Sequence, residues 1–236
     1  MKAIFITGAN RGLGKGFVEY SLNKGFRVFA GVRNILDFDE EIKLNQNLSL
    51  IPIDITDEVS ITKAFLLVKK ETDHLDFLVN NAGNNKDSAT NNNKDIVCKL
   101  SQLDRNVLLN MFNVNSISPM MILKQFLPLL QGKPSYVINI SSARSSNKDE
   151  NMNTNGNYGY RASKAALNLM TVASLFDLPP NVRTFAVHPG SVKTDMNPTG
   201  TDLPIDQASK IIEITNNWRD ELNGKFLRYD GTIYPL

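Results

Sequence analysis

Tyr160 and Lys164 stand four residues apart in the run Tyr160-Arg161-Ala162-Ser163-Lys164. They open a segment of helical period through Ala165, Leu167, Leu169 and Val172, so the i, i+4 spacing puts both side chains on one face. A phenol titrates at about pH 10, and an ammonium within reach stabilises its phenolate. Such a pair is suited to acid/base work, although a plain amphipathic helix could also set a Tyr beside a Lys at its surface. Three glycines near the start, Gly8, Gly12 and Gly14, form a second group with chemical meaning. They follow the apolar Ile4, Phe5, Ile6 and Thr7 and lead into an amphipathic stretch. Strand, glycine turn and helix together make a cradle for a pyrophosphate, because free N–H groups and the helix dipole favour an anion there. Glycine allows positive φ and lets the backbone approach the phosphates. The spacing G-x-x-x-G-x-G differs from the general G-x-G-x-x-G fingerprint, and a tight turn without a ligand would read the same way.

These residues need a scaffold, and the hydrophobic pattern supplies one. Short apolar runs at 3–7, 27–32, 48–53, 77–79, 136–140, 183–187 and 226–228 alternate little, as strands of a buried parallel sheet do. Segments of helical period lie between them. Leu13, Phe17, Val18 and Tyr20 stripe the first helix, with Gly25 placed as its C-terminal cap. Thr56 or Asp57 can cap a helix running to Lys70, and further helices are expected over 105–130 and 160–176. The alternation predicts an α/β fold: one doubly wound, Rossmann-type parallel sheet of about seven strands, with helices on both faces and the chain forming a single domain over 1–236. Polar runs at 84–93 and 145–157 read as surface loops. Residues 193–204, with Gly200, Pro198 and Pro204, read as a candidate substrate lid.

More polar residues emerge where such a fold gathers ligands. Ser141 and Ser142 end the run Val137-Ile138-Asn139-Ile140, and Asn80-Asn81-Ala82-Gly83 ends another. Asn115 sits inside an expected helix, where an amide is unfavourable unless it bonds something. Pro189-Gly190 follows the strand that ends near His188.

Taken in order, TGANRGLG from Thr7, NNAG from Asn80, Asn115, Ser142, YRASK from Tyr160 and HPGSVKTDM from His188 resemble the short-chain dehydrogenase/reductase superfamily over essentially the whole chain. ANRGLG, YRASKAALN and the closing stretch from Gly224 to Gly231 look most like its C-factor and sniffer-type carbonyl reductases. The resemblance implies that Tyr160 donates a proton to a carbonyl oxygen as hydride arrives. It implies that Lys164 lowers the Tyr160 pKa and holds the ribose hydroxyls, that Ser142 rather than Ser141 binds the substrate oxygen, and that Asn115 seats a water. It places the nicotinamide cofactor on Gly8, Asn10, Arg11, Gly12, Leu13 and Gly14, on Asn81, Ala82 and Gly83, and on Tyr160 and Lys164. Asp54 and Ile55 would meet the adenine, and Pro189, Gly190, Val192 and Thr194 the nicotinamide. One departure stands out: eighteen positions separate Ser142 from Tyr160, more than in many members. The 145–157 insert must therefore loop out.

The second strand ends Ala30-Gly31-Val32-Arg33 with no acid to meet a ribose 2′-hydroxyl. Arg33, with Arg11 in the glycine turn, resembles the pattern of members that use NADP(H), since guanidinium forks onto phosphate; NAD(H) is the second choice. The expected activity is an NADP(H)-dependent carbonyl reductase acting on a small carbonyl or alcohol. A cofactor-binding signalling or scaffold protein of the C-factor type is the alternative. An extended-branch epimerase or dehydratase would need a substrate domain, for which too little chain follows Thr194. Two long helices, 105–130 and 160–176, resemble those through which family members form homodimers or homotetramers.

Composition narrows the field. A net charge of +2 with no basic run interleaved with aromatics excludes nucleic acid as an expected partner. There is no run of eighteen apolar residues and no signal-peptide pattern, so no membrane association is expected and the cytoplasm is the default. Cys98 is the one cysteine and reads as an inert thiol. No metal site is expected, because His188 has only His74 as a fellow histidine.

Overall fold

The computed structural model describes residues 1–85, 100–148 and 156–236. Cys98, most of the 84–93 run and the middle of the 145–157 insert lie outside the described residues. Seven strands form one parallel sheet in the order β3-β2-β1-β4-β5-β6-β7. They are β1 Ala3–Thr7, β2 Arg27–Val32, β3 Leu48–Pro52, β4 Phe77–Asn80, β5 Ser135–Ile140, β6 Val182–His188 and β7 Phe226–Arg228. Every expected strand is present with its ends shifted by at most about one residue.

The helices are α1 Gly12–Asn23, α2 Glu40–Lys43, α3 Glu58–Lys69, α4 Arg105–Phe112, α5 Ser118–Phe126, α6 Tyr158–Ser174 and α7 Pro204–Asn216. β1 shows why helices cover both faces. All five of its residues are buried, and alternate side chains enter different cores. Ile4 and Ile6 join Phe17, Val18 and Ile211 under α1 and α7, while Ala3 and Phe5 join Phe65, Val68, Ile122 and Phe126 under α3 and α5. Phe5 and Phe126 stack at 4.5 Å. The chain winds outward through β2 and β3 on one side of β1, then returns to β4 on the other. The C-terminal ends of β1 and β4 therefore flank the switch point, where α/β sheets open a crevice.

Local signals fix the helix ends. Gly25, at φ 72°, closes α1 in a Schellman pattern: its N–H reaches the Leu22 carbonyl, and the Phe26 N–H reaches Ser21. Asp57 rather than Thr56 caps α3, its carboxylate accepting from the Val59 N–H at 2.9 Å. The helix expected over 105–130 is a correction. It divides into α4, a π-helical turn Asn113–Ile117, α5 and a short 3-10 turn Leu127–Leu129. Pro119 has no N–H to give the Asn115 carbonyl, and its ring crowds that carbonyl, so the regular ladder cannot pass. The short α2 was not expected; Asp39 caps it by accepting from the Glu41 and Ile42 N–H groups. No helix among the described residues is long and apolar enough to cross a membrane. Leu109, Leu169 and Phe176 on the paired α4 and α6 region remain exposed.

Candidate active site

Three elements meet at the switch point. The first is the glycine turn. Gly8 and Gly12 adopt positive φ, 64° and 54°. Gly14 lies in α1 with normal φ, but a Cβ there would stand 2.1 Å from the Gly8 carbonyl oxygen and 2.6 Å from Asn81 Nδ2. The first turn of α1 carries no acid, and Arg11 at its N-cap makes no side-chain cap bond. Asn10 is half-buried and Leu13 is buried in the core.

The second element is the end of β4, which braces the turn. Asn81 Nδ2 donates to the carbonyls of Thr7 and Gly8 at 2.9 and 3.1 Å. Thr7 Oγ1 accepts from the N–H groups of Asn81 and Ala82 at 3.0 and 3.1 Å. Ala82 packs on Gly8, where a Cβ would fall 3.0 Å from the Ala82 Cα. A Cβ on Gly83 would sit 3.4 Å from Asn115 Oδ1 and 3.6 Å from Lys164 Nζ. The Asn81-Ala82-Gly83 strip thus links the glycine turn to the residues on α6.

The third element is α6 against the end of β5. Tyr160 and Lys164 are buried, and the Ser142 hydroxyl lies close enough to the Tyr160 phenol to lower its titration. The long insert does not keep the two hydroxyls apart. Burial pushes the Tyr160 phenol above its usual range, against the downward pull of the Ser142 hydroxyl and the Arg144 guanidinium. The Lys164 ammonium donates to the Ile140 carbonyl at 2.6 Å. Ser141 turns the other way, its hydroxyl 3.5 Å from the Lys164 carbonyl. Asn115, fully buried in the π-helical turn, accepts from the Asn84 N–H and donates to the Asn84 carbonyl, both at 2.8 Å. It also donates to Ser163 Oγ at 3.0 Å. Sequence reasoning gave no role to Ser163, Thr7 or Arg144. The position of Ser163 directly before Lys164 was the available signal for the first, whereas nothing local marks Arg144.

Desolvation pulls the Lys164 ammonium down to about 8. Between about 8 and 10.5 the unfolded chain still holds the proton that the folded chain has released, so this group makes stability rise with pH across that window. Below it, the buried charge costs folding about 3 kcal/mol, of which the bond to Ile140 returns about 1. A Lys164→Met variant is expected to be more stable than the parent by about 2 kcal/mol at neutral pH. Urea unfolding at several pH values checks this: the advantage must shrink as pH rises toward 10.5. A constant difference refutes the account.

The remaining residues surround these three elements. Asp54 lies just past β3, its carboxyl held below the usual range by hydrogen bonds from the Thr56 N–H and hydroxyl at 2.9 and 2.7 Å, with Arg33 nearby adding to the effect. Ile55 packs on the second core. Arg33 is exposed, and Arg11 pairs with Asp195 at 3.2 Å across the surface. Beyond β6, Pro189 and Gly190 turn the chain. Gly190 has φ 87°, and a Cβ there would strike Asp202 Oδ2 at 2.7 Å. Segment 193–204 folds back on itself: Val192 bridges to Asp202, and the Lys193 N–H reaches the Asp202 carbonyl at 2.9 Å. It rests on α1, with Thr194 Cγ2 3.1 Å from where a Gly12 Cβ would be. His188 packs edge-on to Tyr234, and no three His, Cys, Asp or Glu side chains gather as metal ligands among the described residues.

Known proteins share this fold. A carbonyl reductase from chicken fatty liver, solved with NADPH bound, superimposes with a TM-score of 0.88 at 28% identity, covering 100% of this chain and 99% of that one. The carbonyl reductase Sniffer of D. melanogaster matches with the same score and identity, over 100% of both chains. The C-signal protein of Myxococcus xanthus is 32% identical over 168 residues, 70% of this chain and 94% of that protein. The family model for short chain dehydrogenases matches residues 2–202, and with the parallel sheet and these relatives it shows that the chain belongs to the short-chain dehydrogenase family of oxidoreductases.

Proposed function

We propose that this oxidoreductase is an NADP(H)-dependent carbonyl reductase in which Tyr160 moves the proton. The observation that carries the proposal is the burial of Tyr160 and Lys164 on one face of α6, with Ser142 close to the phenol and Asn81, Ala82 and Gly83 joining Lys164 to the glycine turn. The residues present suit an anionic dinucleotide. Gly14 leaves the space that a Cβ would fill, the first turn of α1 holds no acidic residue, and Arg11, at the α1 N-cap and paired with Asp195, and Arg33, near Asp54, are exposed cations.

When bound, NADPH supplies the hydride. Gly8, Asn10, Gly12, Leu13 and Gly14 hold the pyrophosphate through main-chain N–H groups, and Arg11 and Arg33 take the 2′-phosphate, Arg11 exchanging Asp195 for it. Asp54 and Ile55 border the adenine; Pro189, Gly190, Val192 and Thr194 close over the nicotinamide end. Ser142 holds the substrate carbonyl oxygen, and Tyr160 delivers its hydroxyl proton to that oxygen. Lys164 orients the ribose, and Asn115 keeps the wall formed by Asn84 in place. The chicken and fly carbonyl reductases support this reading.

Replacing both Arg11 and Arg33 with Ala should weaken NADPH binding at least about a hundredfold and leave NADH binding nearly unchanged, since each charge-assisted hydrogen bond contributes about 1.5–3 kcal/mol. Fluorescence titration with both cofactors checks it; equal losses for the two would refute the phosphate assignment. The likeness to C-signal favours a second reading, a cofactor-binding signalling protein with little turnover. NADPH binding without oxidation across a broad panel of aldehydes, ketones and quinones would select it.

A further inference from the structure

α6 carries a third polar side chain in line with Tyr160 and Lys164. Asn168 lies one turn beyond Lys164 and is 2% exposed. Its Nδ2 donates to Ser145 Oγ at 2.8 Å, and Ser145 Oγ donates to the main-chain carbonyl of Ser142 at 2.6 Å. A hydroxyl has one proton, already committed to Ser142, so only a donor can meet it from the helix. That fixes the amide orientation and leaves Asn168 Oδ1 buried without a partner among the described residues. An apolar side chain of similar size would avoid burying that oxygen. The residue is therefore explained by the bond it donates.

The turn held in this way is the one that aims Ser142. Ser142 is the N-cap of the 3-10 turn Ala143–Ser145; its Oγ accepts the Arg144 N–H at 3.2 Å and faces the Tyr160 phenol closely enough to lower it. Tyr160 and Asn168 therefore grip the two ends of one short turn from a single rigid helix. We propose that Asn168, acting through Ser145, is a positioning residue that locks this turn to α6 and so sets the Ser142 hydroxyl against the Tyr160 phenol.

The proposal rests on the carbonyl-reductase reading for its kinetic consequences, but its geometry can be tested apart from turnover. Ser142 pulls the Tyr160 titration down against burial, so a slack turn must let it rise. The test uses the full chain as parent, Asn168→Leu, Ser145→Ala, the double variant and Ser145→Thr, with Tyr160→Phe as a blank. The parent-minus-blank ultraviolet tyrosinate band gives the Tyr160 midpoint directly. It should move upward in both single variants, and no further in the double, because the two residues form one chain. Where carbonyl turnover is measured, kcat should fall about tenfold with KM and NADPH affinity nearly unchanged, and Ser145→Thr should recover most of the rate. The high-pH limb of reduction should move upward with the midpoint.

A midpoint that stays put in the single variants, or losses that add in the double, would overturn the proposal, since a merely structural role lowers only the folded fraction. If the midpoint moves while the parent turns over no carbonyl, the positioning role stands and the enzyme reading falls.

Discussion

Tyr160→Phe is expected to lower kcat for carbonyl reduction by about a thousandfold, within the range that a positioned general acid contributes. The phenol is the α6 hydroxyl that Ser142 acts on, and the variant keeps every apolar contact of the ring. Folding should change little: Ser142 Oγ still accepts the Arg144 N–H, so the lost hydroxyl contact costs about 1 kcal/mol. NADPH affinity should stay within about twofold, because the phosphate cradle on α1 is untouched. Stopped-flow or steady-state NADPH oxidation together with fluorescence titration separates the two effects. A variant that keeps full rate removes Tyr160 from the chemistry.

The pH dependence follows from the same group. Burial raises the Tyr160 phenol, so its protonated form, the one that donates, persists through neutral pH and carbonyl reduction should be flat there. Alcohol oxidation needs the phenolate as base and should climb on the alkaline side.

Much of this arrangement was legible in the sequence because it depends on local pattern. The strands are buried on both faces, so Ala3, Ile4, Phe5 and Ile6 read as an unbroken apolar run, and their partners read the same way. Gly25 and Asp57 mark helix ends through bonds to residues one turn away. Pro119 was equally visible. Its effect on the helix expected over 105–130 was missed because apolar periodicity continues on both sides of it.

What the sequence hid is set by long-range approach. The Lys164 ammonium meets the Ile140 carbonyl twenty-four residues away, and the Arg144 guanidinium acts on Tyr160 across the insert. Neither pairing follows from residue type or spacing. Segment 193–204 shows the same limit, since its prolines and glycine announce an irregular loop but not that it folds onto Gly12 and α1.

Gly14→Ala should produce the largest loss of cofactor binding and stability together, although Ala is a better helix former than Gly. The added methyl would stand 2.1 Å from the Gly8 carbonyl oxygen and 2.6 Å from Asn81 Nδ2. The first neighbour is backbone in a tight turn, and the second is pinned by its bonds to Thr7 and Gly8, so neither can yield cheaply. Overpacking against such atoms costs about 3 kcal/mol, which in a chain of this size lowers Tm by roughly 6–12 °C. The relief available is movement of α1 away from β4, and that movement opens the site in which Gly8, Gly12 and Ala82 converge. NADPH affinity should therefore fall more than tenfold even in the fraction that remains folded.

Gly132→Ala is the matched control. It has φ 83° with nothing within 4 Å of a Cβ, so only the left-handed backbone penalty of about 1–2 kcal/mol applies. Thermal melts with and without NADPH distinguish the two. The control should keep its full ligand-induced rise in Tm, and the Gly14 variant should lose most of it. Equal ligand shifts in both variants would mean that the turn tolerates displacement, and that the close approach of α1 to β4 is not what shapes the cofactor site.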